Sequence, residues 1–289
     1  MIGVGVPTAS RRATHRTLGF SRGFGVGRNV SSAADHWRTS LEAWAIPDEI
    51  VASAQESPWI HPPELFEVSD DIVTTPSHER ARDVLRGDDE VLDVGCGGGI
   101  AAFALTPPAT KTIGVDHQPA MLEMFRAGAL KRGVACETVL GLWPEVAPNT
   151  DVADVVTSHH VVYNVAEIVP FVRALTDHAR RRVVIEMPNR HPLAMMSDAW
   201  RHFWNLERPQ GPTPSDLLDV LRAEGVRAHH ENWSGSHHPV ASRAQAAHFM
   251  RIRLCLPAAR EGEVDEYLRD HPGPQERELS TIWWDGSAS

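Results

Sequence analysis

The chain has 289 residues and a formal net charge of −10, with 42% hydrophobic and 23% charged residues, the balance of a globular protein of one large or two small domains. No run approaches the ~20 apolar residues that span a bilayer, and three cysteines (Cys96, Cys136, Cys255) are too few for a disulfide framework or a four-thiolate zinc site, as expected in a reducing cytoplasm. Residues 1–34 hold five arginines and no acid, which leaves 35–289 with a net −15 and argues against broad nucleic-acid binding.

Residues 1–31 are rich in Gly, Ser, Thr and Arg and carry no apolar period, so a disordered tail is expected. Arg11-Arg12 is not followed by the apolar stretch of an export signal. Trp37, Leu41 and Trp44 recur at helical spacing, and Pro47-Asp48-Glu49 opens a short helix to about Ala54. Glu56–Phe66 holds three prolines, which forbid regular structure. Thr75-Pro76 caps and starts a helix running to Gly87.

From residue 90 strands alternate with helices. Glu90–Val94, Thr112–Val115, Cys136–Leu140, Val152–Thr157 and Arg182–Glu186 read as strands. Ile168, Phe171, Val172, Leu175 and Ala179 form one helical stripe. Thr213-Pro214-Ser215-Asp216 starts a helix that stops at Gly225. Val226–Trp233 and Thr281–Trp284 are the last two strands, separated by helices over 241–256 and 263–270. The pattern predicts a doubly wound, Rossmann-like α/β fold with a seven-stranded mixed sheet.

Asp93-Val94-Gly95-Cys96-Gly97-Gly98-Gly99 follows a strand and opens a helix. Glycines there permit a sharp turn and close ligand approach. Asp116 ends the next strand, where a carboxylate can accept both hydroxyls of a ribose. A dinucleotide fingerprint needs a third glycine at position 100, which is Ile100. Asp93, at the mouth of the loop, would repel a pyrophosphate and suit an amine.

On these residues the chain resembles the class I S-adenosylmethionine-dependent methyltransferases, over roughly 75–233 and the last strand. Asp93, Gly95, Cys96, Gly97 and Gly99 match the family's acid and glycine motif, and Asp116 its ribose-binding acid. The resemblance implies S-adenosylmethionine as cofactor, with His117 and Gln118 beside the ribose and His159 in the segment that closes over the methionine part. Where the family often has an adenine-binding acid, this chain has Leu142, with backbone groups alone, and Trp143, which could stack on the ring. The Asn/Asp-Pro-Pro-aromatic motif of base- and glutamine-modifying enzymes is absent; Ser158-His159-His160-Val161 stands there.

His160, with Tyr163, is the candidate catalytic group, as a base for an acceptor that must lose a proton. Histidine pairs such as 159–160 should point to opposite strand faces and not converge on a metal, so no metal is expected. Trp200 and Trp204, with Met196 a turn earlier, line one helix face, as core or as an apolar acceptor pocket. The organisation expected is a tail (1–31), a helical cover or lid (32–74), and a cofactor-binding domain (75–289) with a helical insertion at 234–278. Within the cover, Glu56–Phe66 is either a lid over the acceptor or a packed connector. The favoured acceptor is a small, partly apolar molecule. A protein or RNA methyltransferase, or a non-catalytic nucleoside-binding regulator, are the alternatives.

Overall fold

Seven strands form one mixed sheet in the order β3-β2-β1-β4-β5-β7-β6. The strands are β1 (Glu90–Val94), β2 (Lys111–Asp116), β3 (Ala135–Leu140), β4 (Ala153–His159), β5 (Ala179–Pro188), β6 (His229–Ser236) and β7 (Glu276–Asp285). The first five are parallel, and β7 runs antiparallel to both its neighbours. The computed structural model describes residues 32–59, 68–69, 71–236, 242–274 and 276–288; the expected disordered tail and most of the Glu56–Phe66 segment lie outside these. No helix among the described residues is long and apolar enough to cross a membrane.

Side chains alternate across the sheet and build two cores. On one face Leu92, Val94 and Val156 pack with α1 (Ala33–Glu42), α6 (Ile168–His178) and α8 (Pro214–Ala223) through Trp37, Phe171 and Leu221. On the other, Val91, Val155 and Val184 meet α3 (Pro76–Arg82), α4 (Ile100–Phe103) and α5 (Pro119–Arg132) through Ala81, Phe103 and Phe125. A third cluster joins α2 (Asp48–Val51), α7 (Ser197–Trp204), α9 (Arg243–Arg253) and α10 (Glu261–Asp270), with Ile50, Trp200, Leu254 and Val264 inside.

Local signals set most helix starts. Ser32 with Asp35, and Thr213 with Asp216, form reciprocal capping boxes. Boundaries move where tertiary pairing decides. α3 ends at Arg82 rather than at Gly87. β6 begins at His229, because Gly225 (φ +78°) and the Val226 N–H, bonded to the Leu221 carbonyl at 2.9 Å, still belong to the end of α8. β7 is ten residues long, because it pairs on both sides and every rung is used.

Candidate active site

The glycine loop leaves β1 through left-handed backbone. Gly95, Gly97 and Gly99 have φ of +73°, +50° and +99°, conformations costly for other residues. A Cβ on Gly95 would meet Val161 at 2.4 Å, and one on Gly99 would meet Phe103 at 2.3 Å. At Gly95 the turn thus lies against Val161 in the segment after β4.

Asp116 is nearly buried and organises the loop. Its Oδ2 accepts the Gly97 N–H at 3.1 Å, and its Oδ1 accepts the Gln118 N–H at 2.9 Å. An ionised carboxylate has about four lone-pair sites, so capacity remains for two further donors. Gln118 caps α5, and the exposed His117 places Nδ1 3.5 Å from Asp116 Oδ1. Cys96 acts through its main chain: its N–H bonds the Val115 carbonyl at 3.0 Å, while burial pushes its thiol well above the usual range.

Asp93 departs from expectation. It is not at the loop mouth but 1% exposed beneath the loop. Burial pushes its pKa up to about 7, against the Thr157 hydroxyl and the Ala102 backbone, which lower it, with the Asp116 charge adding to the rise. Oδ1 accepts from Thr157 at 3.1 Å, and Oδ2 has no protein partner. Trp143 is a second correction. Its indole is in the core, donating to the Phe171 carbonyl at 3.3 Å with its ring edge-on to His178, so it offers no face for stacking. Leu142 is 59% exposed, and it alone of the pair stands in the open.

The row across the sheet at the end of β4 is polar. His159, Glu186 and Thr281 are in register on β4, β5 and β7, and Glu231 on β6 pairs with Thr281. The start of α3 docks on this row. Thr75 donates to Glu186 at 2.9 Å, Ser77 shares a 2.6 Å bond with Thr281, the His78 ring lies 5.3 Å from that of His159, and Arg80 holds Glu231. The His159 side chain therefore belongs to the α3 seam, not to the glycine loop. Burial pushes its pKa down to about 3, against the Glu186 charge, so it is neutral at ordinary pH.

His160 has φ +61°, which breaks strand alternation. Two adjacent histidines consequently act on one carboxylate, contrary to the expectation that they diverge. His160 Nε2 lies 3.0 Å from Glu186 Oε1, its N–H donates to the Glu186 carbonyl at 2.8 Å, and Arg277 Nη2 is 3.4 Å from Nε2. Burial favours a neutral Glu186, and the charge of His159, once that ring is protonated, and the hydrogen bonds of His160 and the Ser77 hydroxyl act against it, the net direction being downward. Sequence reasoning passed over Glu186. The available signal was an acid ending the apolar strand Val183-Val184-Ile185, as Asp116 ends β2. Among the described residues, no three His, Cys, Asp or Glu side chains are arranged to hold a metal ion.

Tyr163 follows in the turn after β4. Burial raises its pKa, so the phenol is protonated, and its ring meets His191 edge-on at 5.6 Å. His191 stacks on Trp44 at 4.2 Å. Beyond Trp44 lies a cleft lined by Ile46, Trp59, Leu193, Met196, Trp200 and Arg208. Trp200 is both a core residue and part of this wall, whereas Trp204 is tied by its indole N–H to the Leu254 carbonyl at 2.7 Å.

Residues 91–182 match a methyltransferase domain family. The ubiquinone biosynthesis O-methyltransferase of Aeromonas salmonicida is 32% identical over 159 residues, covering 51% of this chain and 66% of that protein. The ribosomal protein L11 methyltransferase of Vibrio campbellii is 36% identical over 86 residues, and this chain spans only 29% of its length. The solved structure of TehB from Haemophilus influenzae is similar at a TM-score of 0.49 and 13% identity, over 75% of this chain and 64% of that one.

Proposed function

This chain belongs to the class I S-adenosylmethionine-dependent methyltransferases, and we propose that it transfers a methyl group from S-adenosylmethionine to a small, partly apolar acceptor. The observation that carries the cofactor reading is Asp116, a nearly buried carboxylate beside a left-handed glycine turn, with each oxygen taking one backbone N–H. Its remaining lone pairs suit a vicinal diol. The residues present fit a nucleoside with a cationic tail. Left-handed backbone at Gly95, Gly97 and Gly99 turns the loop sharply beside the Asp116 carboxylate, Leu142 is exposed, and Asp93 Oδ2 is buried without a partner.

S-adenosylmethionine, when bound, supplies an electrophilic methyl group on a sulfonium. The protein then has to align the acceptor, and alignment is worth up to ~7–11 kcal/mol of barrier. His160 takes the proton of an acceptor that must lose one. A carboxylate only accepts hydrogen bonds, and its 3.0 Å contact with Nε2 is shorter than the 3.4 Å approach of the donor Arg277 to the same atom, so the reading places the ring proton on Nε2 and leaves the Nδ1 lone pair as base. Glu186 is a positioning residue that fixes this tautomer. Tyr163, protonated, can donate a hydrogen bond to the acceptor but does not serve as the base.

Titration calorimetry with the purified protein should show binding of S-adenosylmethionine and its demethylated product and none of NAD; tight binding of NAD alone would overturn the cofactor assignment. Incubation with methyl-labelled S-adenosylmethionine and a cell extract should place label in the small-molecule fraction. Label confined to protein or RNA would reject the acceptor class. His160→Asn should leave cofactor affinity unchanged and lower turnover by ~10²–10⁴-fold.

A further inference from the structure

Arg277 stands beside His160 at the carboxyl end of the parallel strands. It lies on β7 opposite Gly235 of β6, just before the Leu279–Pro188 pairing with β5, on the edge where open α/β sheets take their ligands. Its Nη2 is 3.4 Å from His160 Nε2, and its Nε is buried without a partner. With the Nε2 proton given to Glu186, Nη2 faces a donor rather than an acceptor. No acidic side chain among the described residues pairs with this guanidinium. Glu186 uses Oε1 on His160 at 3.0 Å and Oε2 on Thr75 at 2.9 Å. Glu276 and Glu278 flank Arg277 on the strand and so belong to the opposite face, where Glu276 takes the Ser234 hydroxyl at 3.0 Å. The Arg277 charge also acts on the Tyr163 phenol, against the effect of burial. The His160 side chain is 30% exposed, so a molecule that meets its ring comes within reach of Arg277 as well.

A base paired with a cation that has no counterion selects among acceptors. An amine arrives as an ammonium, which Arg277 repels, and its nitrogen gains positive charge as it is methylated. A carboxylate is already ionised and needs no base. A weakly acidic hydroxyl uses both groups, His160 to take its proton and Arg277 to hold its anion. We infer that Arg277 is a specificity-determining residue and that the acceptor is an acidic hydroxyl, a phenol or an enol. The O–H proton passes to His160 Nδ1 and then to water. The oxygen lone pair forms the bond to the methyl carbon, and the carbon–sulfur electron pair stays on sulfur. Hydroxyl and sulfonium thus become a methyl ether, a neutral thioether and one proton. This rests on the reading of the chain as a methyltransferase with a small acceptor, and it names the chemical class of that acceptor.

Binding tests the inference apart from methyl transfer. The probe is 4-nitrophenol, whose anion absorbs visible light and whose neutral form does not. It is titrated into the full chain holding the demethylated cofactor, beside its neutral ether 4-nitroanisole. Bound 4-nitrophenol should ionise about one pH unit below the free compound, and at neutral pH it should bind roughly tenfold more tightly than 4-nitroanisole. Arg277→Gln should abolish both effects while leaving cofactor affinity unchanged, and Arg277→Lys, which keeps the charge, should restore part of each. Equal affinity for phenol and ether, or no binding of either, overturns the inference. So does an ionisation shift that persists in folded Arg277→Gln. If Arg277→Gln fails to fold, the wild-type spectra still decide, because an unshifted ionisation is enough to overturn it. In turnover with methyl-labelled S-adenosylmethionine and a cell extract, label in the small-molecule fraction should be released by warm hydriodic acid as methyl iodide, as from a methyl ether; label held in N-methyl groups overturns the inference. Absence of cofactor binding, read in the same titrations, would instead remove the methyltransferase reading.

Discussion

The two carboxylates at the glycine loop differ because one is sealed in and the other is tied to amides. Asp93 is raised to about 7 by burial. Its folded pKa lies above the unfolded value, so the native state holds the proton more tightly than the unfolded chain does. The associated stability is full at low pH and is lost as pH rises from about 4 to about 7. Asp93→Asn, neutral throughout, should therefore gain on wild type between pH 5 and 8, by up to about 4 kcal/mol at about 1.4 kcal/mol per unit. Thermal melts without cofactor read this directly; a pH-independent difference would mean that the carboxyl titrates normally. Asp116 makes a different prediction. Asp116→Ala should weaken S-adenosylmethionine binding by ~2–4 kcal/mol. Because Asp116 also accepts the Gly97 and Gln118 amides, the variant should melt lower than wild type. Asp116→Asn, which keeps one carbonyl acceptor, should recover part of the melting temperature. An unchanged dissociation constant in folded Asp116→Ala would contradict the ribose assignment.

At the scale of elements, α3 and the N-terminal cover determine what the strand ends can do. α3 was expected as a helix leading into β1, and its position follows from polar bonds made by Thr75, Ser77 and Arg80 to three different strands. Those bonds enclose His159 and Glu186 and leave His160 at the edge. α1 is anchored by the Trp37 indole, which donates to the Val165 carbonyl at 2.8 Å, so the cover is tied to the turn that carries Tyr163. Trp59 discriminates a lid from a connector. It is 51% exposed, so Trp59→Ala removes little core contact and should cost far less than the ~3–5 kcal/mol of a buried tryptophan. Turnover or acceptor affinity should fall while the melting temperature moves little. A large loss of stability with catalysis intact would assign the segment as a connector.

The whole molecule carries an acid-sensitive set of buried histidines. Burial lowers His78, lowers His159 to about 3 and lowers His191 to about 4, the last two against the Glu186 charge and a Tyr163 backbone bond respectively. A histidine whose folded pKa lies below its unfolded value of about 6.5 costs nothing above that pH. As pH falls further, the unfolded chain takes up the proton first, and stability drops. His191 alone accounts for roughly 3 kcal/mol by about pH 4. Glu186, held low in the fold, adds to the loss below about pH 4.5, while Asp93 acts in the opposite sense. Denaturant midpoints should therefore fall from pH 7 to pH 4. His191→Asn should flatten that fall; an identical slope in the variant would place the acid sensitivity elsewhere.

The strand-to-helix alternation, the glycine spacing and Asp116 were all readable along the chain, because each depends on neighbours within a few residues: hydrophobic period, turn chemistry and a strand end. The seven strands and most helix starts follow from the same local rules. Sheet order, the antiparallel β7 and the burial of Asp93 depend on which strands lie side by side, and no local pattern encodes that. The convergence of His159 and His160 on Glu186 needed both the β4–β5 register and a left-handed His160. Trp143 had the right position for a stacking residue but went to the core, where Phe171 took its N–H and the apolar face was already formed. Arg208 and its cleft unite residues from before the glycine loop and after β5, a proximity that only the packed third cluster creates.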